Sequence, residues 1–180
     1  MKRLFAAQKC ASILYIVMTL VVFVYALAFM TQYSDLVGLK MAQNKLIANF
    51  YDVGLQLFNR QIFAWALLAV AGIALIFFLE IRTRVPDLFA TVVMTLCMAG
   101  CCYGAYFGIA NLLALSAYYA QLDFSYLALE GGAADYQPKF ATFQIGTGIY
   151  IAQIVICVGF AAILIASHVK YKKLEKEGRI

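Results

Sequence analysis

The chain has 180 residues, 65% hydrophobic and 13% charged, with a net charge of +5. Soluble domains carry about 25% charged residues, so this composition excludes one. The basic residues flank long apolar runs, which gives no nucleic-acid signal and places the chain in a lipid bilayer.

The expected fold is all-α: a single membrane domain over residues 1–180 with four transmembrane helices, at about 10–30, 61–79, 88–118 and 142–167. The first span follows Lys2, Arg3 and Lys9. Ala26-Leu27-Ala28 resembles a signal-peptidase site. The apolar run is nevertheless about 20 residues, long enough to cross, so it is expected to remain as a span.

Residues 31–60 read as an outer loop. Within it, Leu46, Phe50, Val53 and Leu57 fall on one helical stripe, and Lys45, Asn49, Asp52, Gln56 and Asn59 fall on the other. That pattern predicts an amphipathic helix lying on the membrane surface, against the bundle or against a partner. The second span, QIFAWALLAVAGIALIFFL, is rich in Ala and Gly and therefore thin. A short loop, 80–87, makes spans two and three antiparallel neighbours, and Pro86 suits the start of a helix.

The third span is uncharged from Leu88 to Gln121. At 1.5 Å per residue it covers about 50 Å, against about 30 Å of hydrocarbon. Its last turns, around Tyr118 and Tyr119, are expected to project. Gly100, Gly104 and Gly108 form a row at four-residue spacing, and Asn111 extends the same face. Such a row predicts a close helix-packing seam, formed within the bundle, with a second copy or with another protein. Met94, Cys97, Met98 and Cys101 make a neighbouring sulfur stripe. Thiolate and thioether groups suit Cu(I), but Cys and Met also serve as hydrophobic filler. The outer loops contain no His and only Met41, so no metal and no cofactor is expected.

A second outer loop, 119–141, carries Asp123, Glu130 and Asp135 against Lys139, and reads as solvated charge. The fourth span has a mildly polar stripe of Gly146, Tyr150, Gln153 and Cys157, and residues 168–180 form a basic tail. Lys and Arg concentrate at the N-terminus, in 80–87 and in the tail, so both termini are expected in the cytoplasm of a cell-membrane protein.

Four-span thiol oxidoreductases of the vitamin K epoxide reductase type are similar in size and topology. They need cysteine pairs at the outer surface, and neither outer loop here contains a cysteine. No zinc-ligand spacing, phosphate-binding glycine loop or hydrolase motif occurs, and His168 is the only histidine. The spans contain no charged residue of the kind ion coupling requires. What remains are contact features. They predict a non-catalytic accessory subunit of a larger membrane complex, with a transporter as the expected partner. A homo-oligomeric channel or facilitator for a neutral solute is the alternative, ahead of a membrane-embedded enzyme or a Cu(I)-handling protein.

Overall fold

The computed structural model describes residues 2–38, 49–82, 87–122 and 140–178, and all regular structure among them is helical. Helix α1 runs Lys2–Gly38. A π-helical turn, Phe50–Leu55, leads directly into α2, Gln56–Arg82. Helices α3 and α4 cover Leu88–Tyr119 and Ala141–Lys176. Four segments are long and apolar enough to cross a membrane: Phe5–Phe29, Val53–Leu79 (which begins in the π-helical turn), Leu88–Tyr119 and Ala141–Lys176. The helices are longer than the hydrocarbon layer is thick, since 32 residues already span about 48 Å.

The helices form a closed ring. Each packs on its neighbour in sequence, and α4 returns to pack on α1. The direction alternates from helix to helix. Val22–Phe29 meets the start of α2, the end of α3 and the start of α4 in one core cluster, at the end of the bundle distal to the termini. Ala11 and Tyr15 meet Ile76, Met94, Met98 and Phe160 in the other, nearer the termini.

The buried stripe has a period of 3.5 residues. On α4 it is Phe143, Gly146, Tyr150, Gln153, Cys157, Phe160, Leu164 and Ser167, alternating steps of three and four. Steps of three and four, or their sum of seven, also relate Phe58, Ile62, Ala66, Ala69, Ile76 and Leu79 on α2. This heptad repeat is the signature of left-handed knobs-into-holes packing in four-helix bundles. The outward faces are apolar, as a lipid environment requires: Val24, Leu68, Phe77, Leu96 and Val155 are all exposed.

Local chemistry sets the ends. Asp87 caps α3, its Oδ1 accepting from the Ala90 N–H at 2.7 Å. Beyond α4, Gly178 takes a left-handed φ of 64°, and Lys173 and Lys176 occupy the last turn, where they complement the helix dipole.

The predicted surface stripe divides in the structure. Leu46 lies outside the described residues. Phe50 is buried and packs on Tyr118 and Tyr119, whereas Val53 and Leu57 face outward. The π turn adds backbone per revolution and so shifts the phase of the helix, which separates Phe50 from the other two. Leu55 and Phe58 supply the inward contacts instead.

Candidate docking and packing site on the third helix

The interior is organised by glycines that receive aromatic rings. A Cβ placed at Gly104 would lie 3.0 Å from the Trp65 ring, and one at Gly108 would lie 2.7 Å from the Tyr150 ring. A Cβ at Gly72 would lie 2.9 Å from the Tyr15 hydroxyl and 2.7 Å from Cys97 Sγ, and one at Gly146 would collide with the Tyr25 ring and hydroxyl. Tyr15 and Tyr25 come from α1, Trp65 from α2 and Tyr150 from α4. Every pair of adjacent helices in the ring therefore shares one contact between an aromatic side chain and a glycine, through the ring at Gly104, Gly108 and Gly146 and through the Tyr15 hydroxyl at Gly72. A glycine row alone suggests backbone against backbone; here the space is filled by a large ring from the neighbouring helix.

Hydrogen bonds fix two of these rings. Tyr15 donates to the Ala69 carbonyl at 3.1 Å and lies 3.4 Å from Cys101 Sγ. Tyr25 donates to the Thr142 carbonyl at 3.1 Å, beside Gly146. Tyr25 and Tyr150 meet edge to face at 5.9 Å, so the rings at Gly146 and Gly108 also hold each other.

The seam residues predicted on α3 have different surroundings. Gly104 and Gly108 are buried under Trp65 and Tyr150. Asn111 is half-buried and donates to the Phe107 carbonyl of its own helix at 2.8 Å. Gly100 is exposed, and a Cβ there would meet nothing within 4 Å. Around Gly100 the α3 surface continues as Ala99, Tyr103 and Tyr106, all exposed, with Tyr103 edge-on to Trp65 at 5.5 Å.

The sulfur stripe points inward. Met94 and Met98 are buried, Cys97, Cys101 and Cys102 are half-buried, and Cys157 of α4 is buried beside them; all five cysteines are free. Among the described residues no three Cys, His, Asp or Glu side chains converge as a metal would require. A small cavity of about 20 Å³ lies next to this cluster, lined by Trp65, Ala69, Cys101, Gly104, Tyr150 and Gln153 among others. That volume accommodates about one water molecule. Gln153 Oε1 is buried there without a protein hydrogen-bond partner.

At the distal end, Tyr119 packs on Phe50, Phe140 and Phe143, and Phe29 packs on Phe58 and Phe143. Tyr118 and Tyr119 are thus parts of an aromatic plug over the helix ends. The sequence pattern puts Tyr118 and Tyr119 in projecting turns and Tyr150 on a mildly polar stripe, but gives none of them this packing role; Tyr119 and Tyr150 are buried. The signal for both was the heptad spacing, which places Tyr15, Tyr25, Tyr119 and Tyr150 on buried stripes.

The fold and this geometry define a closed four-helix bundle of the membrane-spanning class. Compared with known protein families, curated proteins and solved structures, the chain finds no match.

Proposed function

We propose that the protein is a non-catalytic accessory subunit of a larger complex in the cell membrane. A transporter is the expected partner, and both termini lie in the cytoplasm. The observation that carries this reading is the open face of α3. Tyr103 and Tyr106 are 60% and 65% exposed, and Tyr103 sits about 23 Å from either end of its helix, near mid-span. A phenol hydroxyl without a partner costs about 1–3 kcal/mol, and lipid tails offer none. Gly100, on the same face, leaves room for close approach. A neighbouring subunit's helix bearing a hydrogen-bonding side chain satisfies both features.

Ion-coupled transport by the bundle itself is a poorer reading, because the buried polar residues among those described are Gln, Ser, Thr and Asn only. A homo-oligomeric channel for a neutral solute is the second reading, and it rests on the same face. The interior cavity of about 20 Å³ is no pore, so a path would run between copies.

Purification of the full chain in mild detergent separates these readings. Stoichiometric foreign subunits should accompany it, and Gly100→Leu should release them while leaving the bundle folded, because nothing of the bundle lies within 4 Å of that Cβ. A pure homo-oligomer that conducts in liposomes would overturn accessory status. A complex indifferent to both Gly100→Leu and Tyr103→Leu would remove the α3 face from either reading.

A further inference from the structure

A second surface, nearer the termini along the same outward face of α3, has the chemical gradient of an amphiphile. A groove of about 310 Å³ runs between the start of α3 and the end of α4, with apolar walls from Leu88, Val92 and Leu96 on one side and Ile165 and Val169 on the other. It is within the volume range of small-molecule sites. Two further observations distinguish it from an ordinary lipid-facing furrow.

The first is polar. Thr91 lines the groove and is only 6% exposed, yet its hydroxyl has no hydrogen-bond partner. Its neighbour Thr95 donates to the Thr91 carbonyl at 2.7 Å, so Thr95 is satisfied and Thr91 Oγ1 is not. His168 closes the same groove from α4.

The second is charge. Ile165, His168 and Val169 follow helical spacing, and the next residue on that stripe is Lys172. Lys172 is exposed and paired with Glu175 at 3.0 Å, a surface contact that holds it weakly. Lys176, one turn on, shares that face and Lys173 lies beside it, with Glu175 and Glu177 as the nearby acids. Along α4 the stripe thus passes from apolar wall to imidazole to ammonium. That order matches acyl chain, glycerol linkage and phosphate.

We propose that this groove binds one anionic phospholipid. One acyl chain lies between Val92, Leu96, Ile165 and Val169. Thr91 and His168 meet the glycerol ester region. Lys172 and its neighbours hold the phosphate. Binding here would tie the two helices together at the membrane face near the termini.

Native mass spectrometry of the full chain tests this, with dioleoylphosphatidylglycerol and dioleoylphosphatidylcholine offered in competition. The two lipids have the same chains and differ in headgroup charge. Wild type should retain the anionic lipid, with a preference of about fivefold for each lysine engaged. A Lys172→Gln, Lys173→Gln, Lys176→Gln variant should retain both lipids equally. Val169→Trp, at an outward position that is 61% exposed, should fill the groove and expel both while leaving thermal unfolding unchanged. Equal retention of the two lipids by wild type would overturn the proposal. So would a preference that survives the triple variant, or full lipid occupancy in Val169→Trp.

Discussion

Gly108→Ala probes the packing logic most directly. The added Cβ would lie 2.7, 2.8 and 3.0 Å from Cε2, Cζ and Cδ2 of Tyr150, where carbon atoms prefer about 3.5–4.0 Å. These are ring atoms, so no rotation of the hydroxyl relieves the contact. The ring has little room to retreat, because its other side meets Tyr25 edge to face at 5.9 Å and Tyr25 is itself bonded to the Thr142 carbonyl. Overpacking of this kind costs about 1–3 kcal/mol. Alanine's intrinsic helical advantage over glycine, about 0.5–1 kcal/mol, offsets part of it. Gly100→Ala has the same advantage and no contact. The two variants should therefore differ by about 1–3 kcal/mol, with Gly108→Ala the less stable. Reversible unfolding in mixed detergent micelles measures the difference. Equal stability would refute the idea that the glycines exist to admit rings. Tyr150→Leu in the Gly108→Ala background should recover part of the loss, because the ring is gone.

Two other perturbations follow from the same geometry. Trp65 is the chain's only tryptophan and lies against Gly104, so Gly104→Val should shift its fluorescence and lower stability by about 1–3 kcal/mol; an unchanged spectrum would mean that the ring does not occupy this hole. Gln153→Met, nearly isosteric, removes a buried Oε1 that has no protein partner and should leave the bundle as stable or raise its stability by up to about 1 kcal/mol. A loss above about 1 kcal/mol in unfolding would show that Gln153 makes an essential polar contact.

The spans were legible because hydropathy is a property of whole segments: apolar runs of this length have few alternatives to crossing a bilayer. The seam was legible only in part. The spacing of Gly100, Gly104 and Gly108 reveals one row on one helix, but their surroundings differ because the 3.5-residue stripe drifts across a four-residue row. Gly104 and Gly108 fall under rings, and Gly100 falls outside. Trp65 belongs to α2 and Tyr150 to α4, and no local pattern announces which glycine a distant ring will enter. The stripe Leu46, Phe50, Val53 and Leu57 presumed regular α-helix, and the π turn at Phe50–Leu55 breaks that assumption for Phe50. The polar stripe of α4 is apparent in sequence, but Gly146, Tyr150, Gln153 and Cys157 look like a wettable face until their heptad spacing is joined to Phe143, Phe160 and Leu164.

The ring of contacts also bears on the order in which the chain becomes a protein. Helix α4 completes two of the four contacts between an aromatic side chain and a glycine: its Gly146 receives Tyr25, and its Tyr150 enters Gly108. Until the last span is made, α1 has an aromatic side chain with no recess and α3 has a recess with no side chain. The interlocked bundle is therefore assembled only once α4 has been made. Truncation before Ala141 would therefore leave three inserted spans that lack half of their interlocks, with Tyr25 and Gly108 open to the lipid and to whatever quality-control machinery surveys it.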